Sequence, residues 1–176
     1  MQYRRASVPG GTFFFTVVTA ERAPLFADRA NIAVLRSAFR RVRFQRPFVL
    51  KAVVVLPDHL HCIWTLPPHD GDFSTRWRLI KTWFTKHCDS TSRAGASKVA
   101  GGESSLWQPR YWEHVLRDEI DLRRHIEYIH FNPVKHGYAK APIDWPYSSF
   151  HRYIKAGMYP PDWGAAEPDF QGIGQE

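Results

Sequence analysis

Two apolar runs, Val49 to Leu56 (VLKAVVVL) and His59 to Leu66 (HLHCIWTL), are separated only by Pro57-Asp58. Runs of eight residues rich in Val, Ile and aromatic side chains at that distance form two antiparallel strands joined by a tight turn. The flanking chain must then supply elements that cover such a pair. Thr12 to Thr19 (TFFFTVVT) reads as a further buried strand behind Gly10-Gly11. Asn31 to Gln45 places Ile32, Leu35, Phe39 and Val42 on one helical face and Arg36, Arg40 and Arg43 on another, before Pro47 ends the pattern. Trp77, Ile80 and Phe84 recur at helical spacing between Ser74 and Cys88, with Ser74 the expected N-cap. Tyr111 to Arg117 reads as a strand and Asp121 to Asn132 as a third helix.

The order β-α-β-β-α-β-α predicts an α+β chain whose first six elements make a ferredoxin-like, split βαβ unit. In that unit two helices cover one face of an antiparallel sheet and the other face is left open for a site. A third helix follows, then an irregular Pro/Trp/Tyr-rich segment. Residues 89–105 (DSTSRAGASKVAGGESS) hold no aromatic residue and no periodicity, and are expected to be a mobile loop.

A length of 176 residues suits one domain, and 44% hydrophobic residues supply a sizeable core. Cys62 and Cys88 are too few for a disulfide framework, and the N-terminus MQYRRASVPG lacks the apolar core of a signal peptide. The longest apolar stretch is broken by Lys51, Asp58, His59 and His61, so no membrane span is expected. The expectation is a soluble, cytoplasmic protein. The net charge is +7, yet residues 156–176 carry four acidic residues and no basic one, which raises the surplus on residues 1–155 to +11. We therefore expect a basic domain over 1–155, an acidic tail over 156–176, and a polyanionic partner.

His59 and His61 lie two apart on a strand, so their side chains share a face, with Cα atoms roughly 6.5 Å apart. That is close enough for one metal ion. A pair of partly buried histidines satisfied by carbonyls would show the same pattern. On the third helix, His125, Tyr128 and Asn132 share a face, and Pro133 is expected to end the helix at Asn132. An amphipathic anchor and a C-cap would look alike there. Together the two groups suggest more. A metal held by two neutral imidazoles and an amide oxygen keeps its full charge and can polarise a phosphodiester. A nearby phenol can then attack phosphorus and form a covalent phosphotyrosine.

The segments PDHLHCIW, YIHFNPVKHG and DWPYSSFHRY resemble the REP-associated tyrosine transposases of bacteria, members of the HUH single-strand endonuclease superfamily. The resemblance runs from Tyr3 to Trp163. It implies a ferredoxin-like catalytic domain in which His59 and His61 bind magnesium or manganese and Tyr128 is the nucleophile. Relatives in mobile elements commonly carry a glutamine one turn after the tyrosine, where this chain has Asn132. The implied substrate is a repetitive extragenic palindrome folded as a hairpin, cleaved in a single strand at the nucleoid, by a monomer or a homodimer. One rival is a zinc hydrolase completed by His130 or His114. The other is a hairpin-binding module without catalysis. Arg4, Arg5, Arg78, Lys81, Trp145, Tyr147, Arg152, Lys135 and His136 are the expected DNA contacts, the aromatics by stacking and the cations on phosphates.

Overall fold

The computed structural model describes residues 8–89, 97–98, 104–160, 162–164, 170 and 173. Four strands, β1 (Thr12–Val18), β2 (Val49–Val55), β3 (His59–Thr65) and β4 (Trp112–Val115), form one antiparallel sheet in the order β2-β3-β1-β4. That is the ferredoxin-like arrangement the element order predicts. Helices α1 (Arg29–Gln45) and α2 (Phe73–His87) pack on one face against Phe13, Phe15, Leu60, Cys62 and Trp64. The stacked rings of Trp64 and Trp77, 4.5 Å apart, join sheet to α2. A buried Arg76 fastens the start of α2: it pairs with both Asp70 oxygens and donates to the carbonyls of Arg46, Pro47 and Asp72.

The sheet's second face is not open. Helix α3 (Glu119–Lys135) lies across it, and Tyr128 and Ile129 pack with Phe14, Val54, Leu56 and Ile63. The strands require this. β1 and β2 are apolar on both faces rather than alternating, and Phe14, Val54 and Ile63 could not stand in water without a large hydrophobic cost. The open face expected from the pattern is therefore an interface, and whatever α3 carries is held against the sheet.

Three local expectations also differ. The N-cap of α2 is Asp72, whose Oδ1 accepts from the Thr75 N–H at 3.0 Å, rather than Ser74. Helix α3 does not end at Asn132: it passes through Pro133 and stops at Lys135. In the last turn Pro133 forfeits one intrahelical bond, while its own carbonyl accepts from the N–H groups of Tyr138 and Ala139 after the chain reverses at Gly137, φ +71°. The segment expected to be irregular contains a short helix, α4 (Phe150–Lys155). Ahead of α4, Val55 N–H donates to Tyr147 O and Ser149 N–H to Val53 O, so this stretch closes the exposed edge of β2.

Of the expected mobile loop 89–105, residues 90–96 and 99–103 lie outside the described residues, and Ser97–Lys98 pairs with Ser104–Ser105 as a two-residue ladder. Among the described residues no helix is long and apolar enough to cross a membrane.

A candidate active site between the sheet and its third helix

Strand register builds the first half of the site. β1 and β3 run antiparallel with Thr16 opposite His61 and Val18 opposite His59. The pleat turns both histidines to the α3 side, and their rings lie 5.0 Å apart. Each is anchored through Nδ1: that of His61 lies 2.9 Å from Thr16 Oγ1, and that of His59 lies 2.6 Å from Asp58 Oδ1. This is the arrangement in which Nε2 is the metal-ligating nitrogen and an outer partner fixes the ring. Asp58 is itself held by Arg22 Nη1 at 3.2 Å. Partial burial pushes its carboxyl up, but the hydrogen bonds and charges of His59 and Arg22 outweigh that and leave it below the ordinary carboxylate range.

Helix α3 supplies the second half. The Tyr128 ring stands edge-on to His61 with centroids 5.5 Å apart, and also meets Phe14 and Phe170. Lys135, two turns further, donates from Nζ to Tyr128 Oη at 3.1 Å. The continuation of the helix past Pro133 is what brings Lys135 there. His136, its C-cap, packs 5.1 Å from the His59 ring. Asn132 is fully buried, and neither atom of its side-chain amide has a hydrogen-bond partner among the described residues. A buried amide left so is costly unless a further ligand meets it. Two imidazoles fixed by outer partners and one unsatisfied buried amide oxygen suit a divalent cation.

A second group that could hold a metal ion consists of His114, Asp121 and His125. Asp121 bridges the two imidazoles, with Oδ2 3.3 Å from His114 Nε2 and Oδ1 3.1 Å from His125 Nδ1. Phe14 lies between this group and His61, 5.0 Å from the His125 ring and 5.5 Å from that of His61. His114 thus belongs with Asp121 and not with the His59 pair. His130, the other histidine considered for a zinc site, lies toward α4, with Nε2 2.9 Å from Ser149 Oγ. Burial, aided by the Arg152 charge, depresses its pKa to about 3 and keeps it neutral. Cys62 faces the α1–α2 core, where burial pushes its thiol up.

The expected DNA contacts fall into several environments. Arg4 and Arg5 lie outside the described residues. Arg78 is exposed. Lys81 donates to Gln108 O at 3.0 Å and sits over the Trp107 and Tyr111 rings. Trp145 is an anchor, its Nε1 donating to Val55 O. Tyr147 and Arg152 line a groove beside α1, and Arg152 donates to the carbonyls of Leu50 and Lys51. Sequence reasoning missed Thr16 and Asp58 as orienting partners. Asp58 adjoins the histidine pair directly, whereas Thr16 is found only through strand register.

No family model matches the chain. The REP-associated tyrosine transposase of Escherichia coli (strain K12) is 46% identical over 170 residues, covering 96% of this chain and 94% of that protein. A relative from Haemophilus influenzae is 42% identical over 171 residues, covering 96% of each. A solved structure of a REP-associated tyrosine transposase bound to a REP hairpin superposes with a TM-score of 0.82 at 46% identity, covering 97% of this chain and 95% of that one.

Proposed function

The chain belongs to the REP-associated tyrosine transposases, and from that premise we propose that it cleaves and rejoins single-stranded DNA at REP-type hairpins through a covalent phosphotyrosine at Tyr128. The observation that carries this reading is that Tyr128 meets the His61 ring and accepts a hydrogen bond from Lys135 Nζ. His59, His61 and Asn132 would hold the cation, magnesium or manganese, which when bound polarises the scissile phosphodiester. Lys135 stabilises negative charge on Tyr128 Oη as the phenol gives up its proton to water. The phenolate oxygen then bonds to phosphorus, the P–O3′ bond breaks, and the departing 3′-oxygen takes a proton to leave a free 3′-hydroxyl. The 5′-phosphate stays on the tyrosine, which conserves the bond for transfer to another 3′-hydroxyl. Phe170 packs edge-on against the Tyr128 ring, with centroids 5.6 Å apart.

Residues 1–155 make the catalytic and DNA-binding unit in this reading, with the acidic tail outside it, and a protein acting on chromosomal repeats would work at the nucleoid. In this reading Lys135 acts on the nucleophile as well as near the phosphate, and His136, beside His59, meets the scissile strand. Arg4, Arg5 and Arg78 meet the phosphate backbone.

The direct test is adduct formation. Wild type incubated with a hairpin oligonucleotide carrying a REP-type palindrome, plus manganese, should give a protein–DNA band that survives denaturation. Excess chelator should remove that band, and cleavage undiminished in chelator would refute the metal requirement. Lys135→Gln tests the activation step. Because it removes the cation from Oη, the rising limb of the adduct-formation rate should move to higher pH, while Lys135→Arg keeps much of the wild-type profile. An unshifted profile in Lys135→Gln would assign the lysine to packing alone.

A further inference from the structure

Phe14 separates His114, Asp121 and His125 from His61, and the chemistry proposed at Tyr128 uses none of the three. Strand register and helix period bring them together. His114 pairs with Phe14 across β1 and β4, so its ring faces the α3 side of the sheet. Asp121 and His125, four apart on α3, share one side of that helix. One ring nitrogen from each histidine and one Asp121 oxygen all lie within 4.8 Å of one another. Asp121 spans the pair, with Oδ2 3.3 Å from His114 Nε2 and Oδ1 3.1 Å from His125 Nδ1. The Arg117 N–H donates to Oδ2 at 3.2 Å and so orients the carboxylate. The two imidazoles stack with centroids 5.1 Å apart and 20° between their planes, and Trp112 stacks on His114 at 5.7 Å. His125 is buried, whereas the His114 side chain is 30% exposed, which leaves the group open to solvent on that side.

We propose that these three side chains form a metal site of their own, for zinc or a chemically similar ion, which ties the start of α3 to the edge strand β4. Two imidazoles and one carboxylate favour zinc, whereas magnesium prefers oxygen donors in an octahedron. Zinc holds nitrogen and oxygen donors at about 2.0–2.1 Å, which sets neighbouring corners of a tetrahedron roughly 3.3 Å apart. The two spacings around Asp121 already match that edge. Three protein donors leave the fourth position to water, which enters on the exposed side of His114. Strand β4 is only four residues long and pairs with β1 alone, so a clasp at His114 fixes it where the ladder is short. His125 lies one turn before Tyr128, so the same clasp holds the helix that carries the tyrosine against the sheet. This role does not depend on the chemistry at Tyr128. His125 Nδ1 also meets the Asp121 carbonyl at 2.8 Å, and a hydrogen-bonded bridge without metal is the competing account.

Cobalt is the probe, because it enters zinc sites, its tetrahedral complexes absorb visible light, and zinc binds such donors more tightly and displaces it. The untagged full chain carrying His61→Ala, which breaks the other histidine group, is titrated with Co2+ in excess magnesium. It should take up one ion per chain with a tetrahedral spectrum, and zinc should displace that ion one for one. Adding His114→Ala or Asp121→Asn should abolish the uptake. If His61→Ala melts too low to use, wild type and His114→Ala are compared instead, and the variant should hold one zinc fewer per chain. In wild type, amide exchange over residues 112–125 should slow about tenfold when free zinc is about ten times its Kd, and His114→Ala should show no such slowing. Equal metal content with and without His114, displacement of the bound ion by magnesium, or zinc binding that leaves this exchange unchanged would overturn the site and leave the three side chains as a hydrogen-bonded bridge.

Discussion

His61→Ala should lower cleavage by about 100-fold or more while hairpin affinity stays within about threefold of wild type, because the histidine acts on the reacting phosphate and not on recognition. His61 is fully buried in the sheet, fixed by Thr16 on one side and faced by Phe14 and Tyr128. The alanine variant removes one of three proposed cation donors together with the ring that packs on the nucleophile. His59→Ala should act alike, and it also leaves Asp58 without its histidine partner. Thr16→Val separates ligand from outer partner: it keeps the ring but loses the bond at Nδ1, so a partial loss of activity that added manganese restores is expected. A thermal melt guards against misfolding, since both histidines are buried. Cleavage by His61→Ala at the wild-type rate would remove the histidine pair from the chemistry.

Much of this arrangement was legible in the sequence. The hairpin of β2 and β3, the opposite parity of Leu60 and Cys62 against His59 and His61, and the apolar face of α1 all follow from periods of two and 3.6 residues. The covered second face was legible as well, in the unbroken apolar run of Phe13, Phe14 and Phe15, although helix order alone suggested that it stood open. What could not be read depended on tertiary context. Pro133 marks a helix end by local rule, yet the bonds to its carbonyl from Tyr138 and Ala139 carry α3 on to Lys135. Only that extra turn puts an ammonium on Tyr128. Thr16 meets His61 across 45 residues of chain, and the groove beside α1 joins residues 29–43 to 146–152. No local pattern encodes either meeting.

Tyr128→Phe should abolish covalent attachment outright, since the variant keeps the ring and its contacts with His61 and Phe14 and loses only Oη. Among the described residues the other tyrosines considered stand in different surroundings. Tyr138 is exposed and stacks on His136. Tyr153 and Tyr159 lie in the cluster around His130, where burial raises both phenols above their usual range. Tyr147 borders the groove beside α1. The loss should therefore be complete rather than partial, with hairpin binding retained.

Peptide mapping of the trapped adduct tests the central claim most directly. Wild type is incubated with manganese and a hairpin oligonucleotide, the denaturation-resistant species is digested, and the modified peptide is sequenced by mass spectrometry. The account predicts one nucleotide-bearing peptide containing Tyr128, a free 3′-hydroxyl on the released fragment, and no adduct from Tyr128→Phe. An adduct mapped to another tyrosine, or cleavage by wild type that leaves no protein-linked DNA at any time, would contradict it.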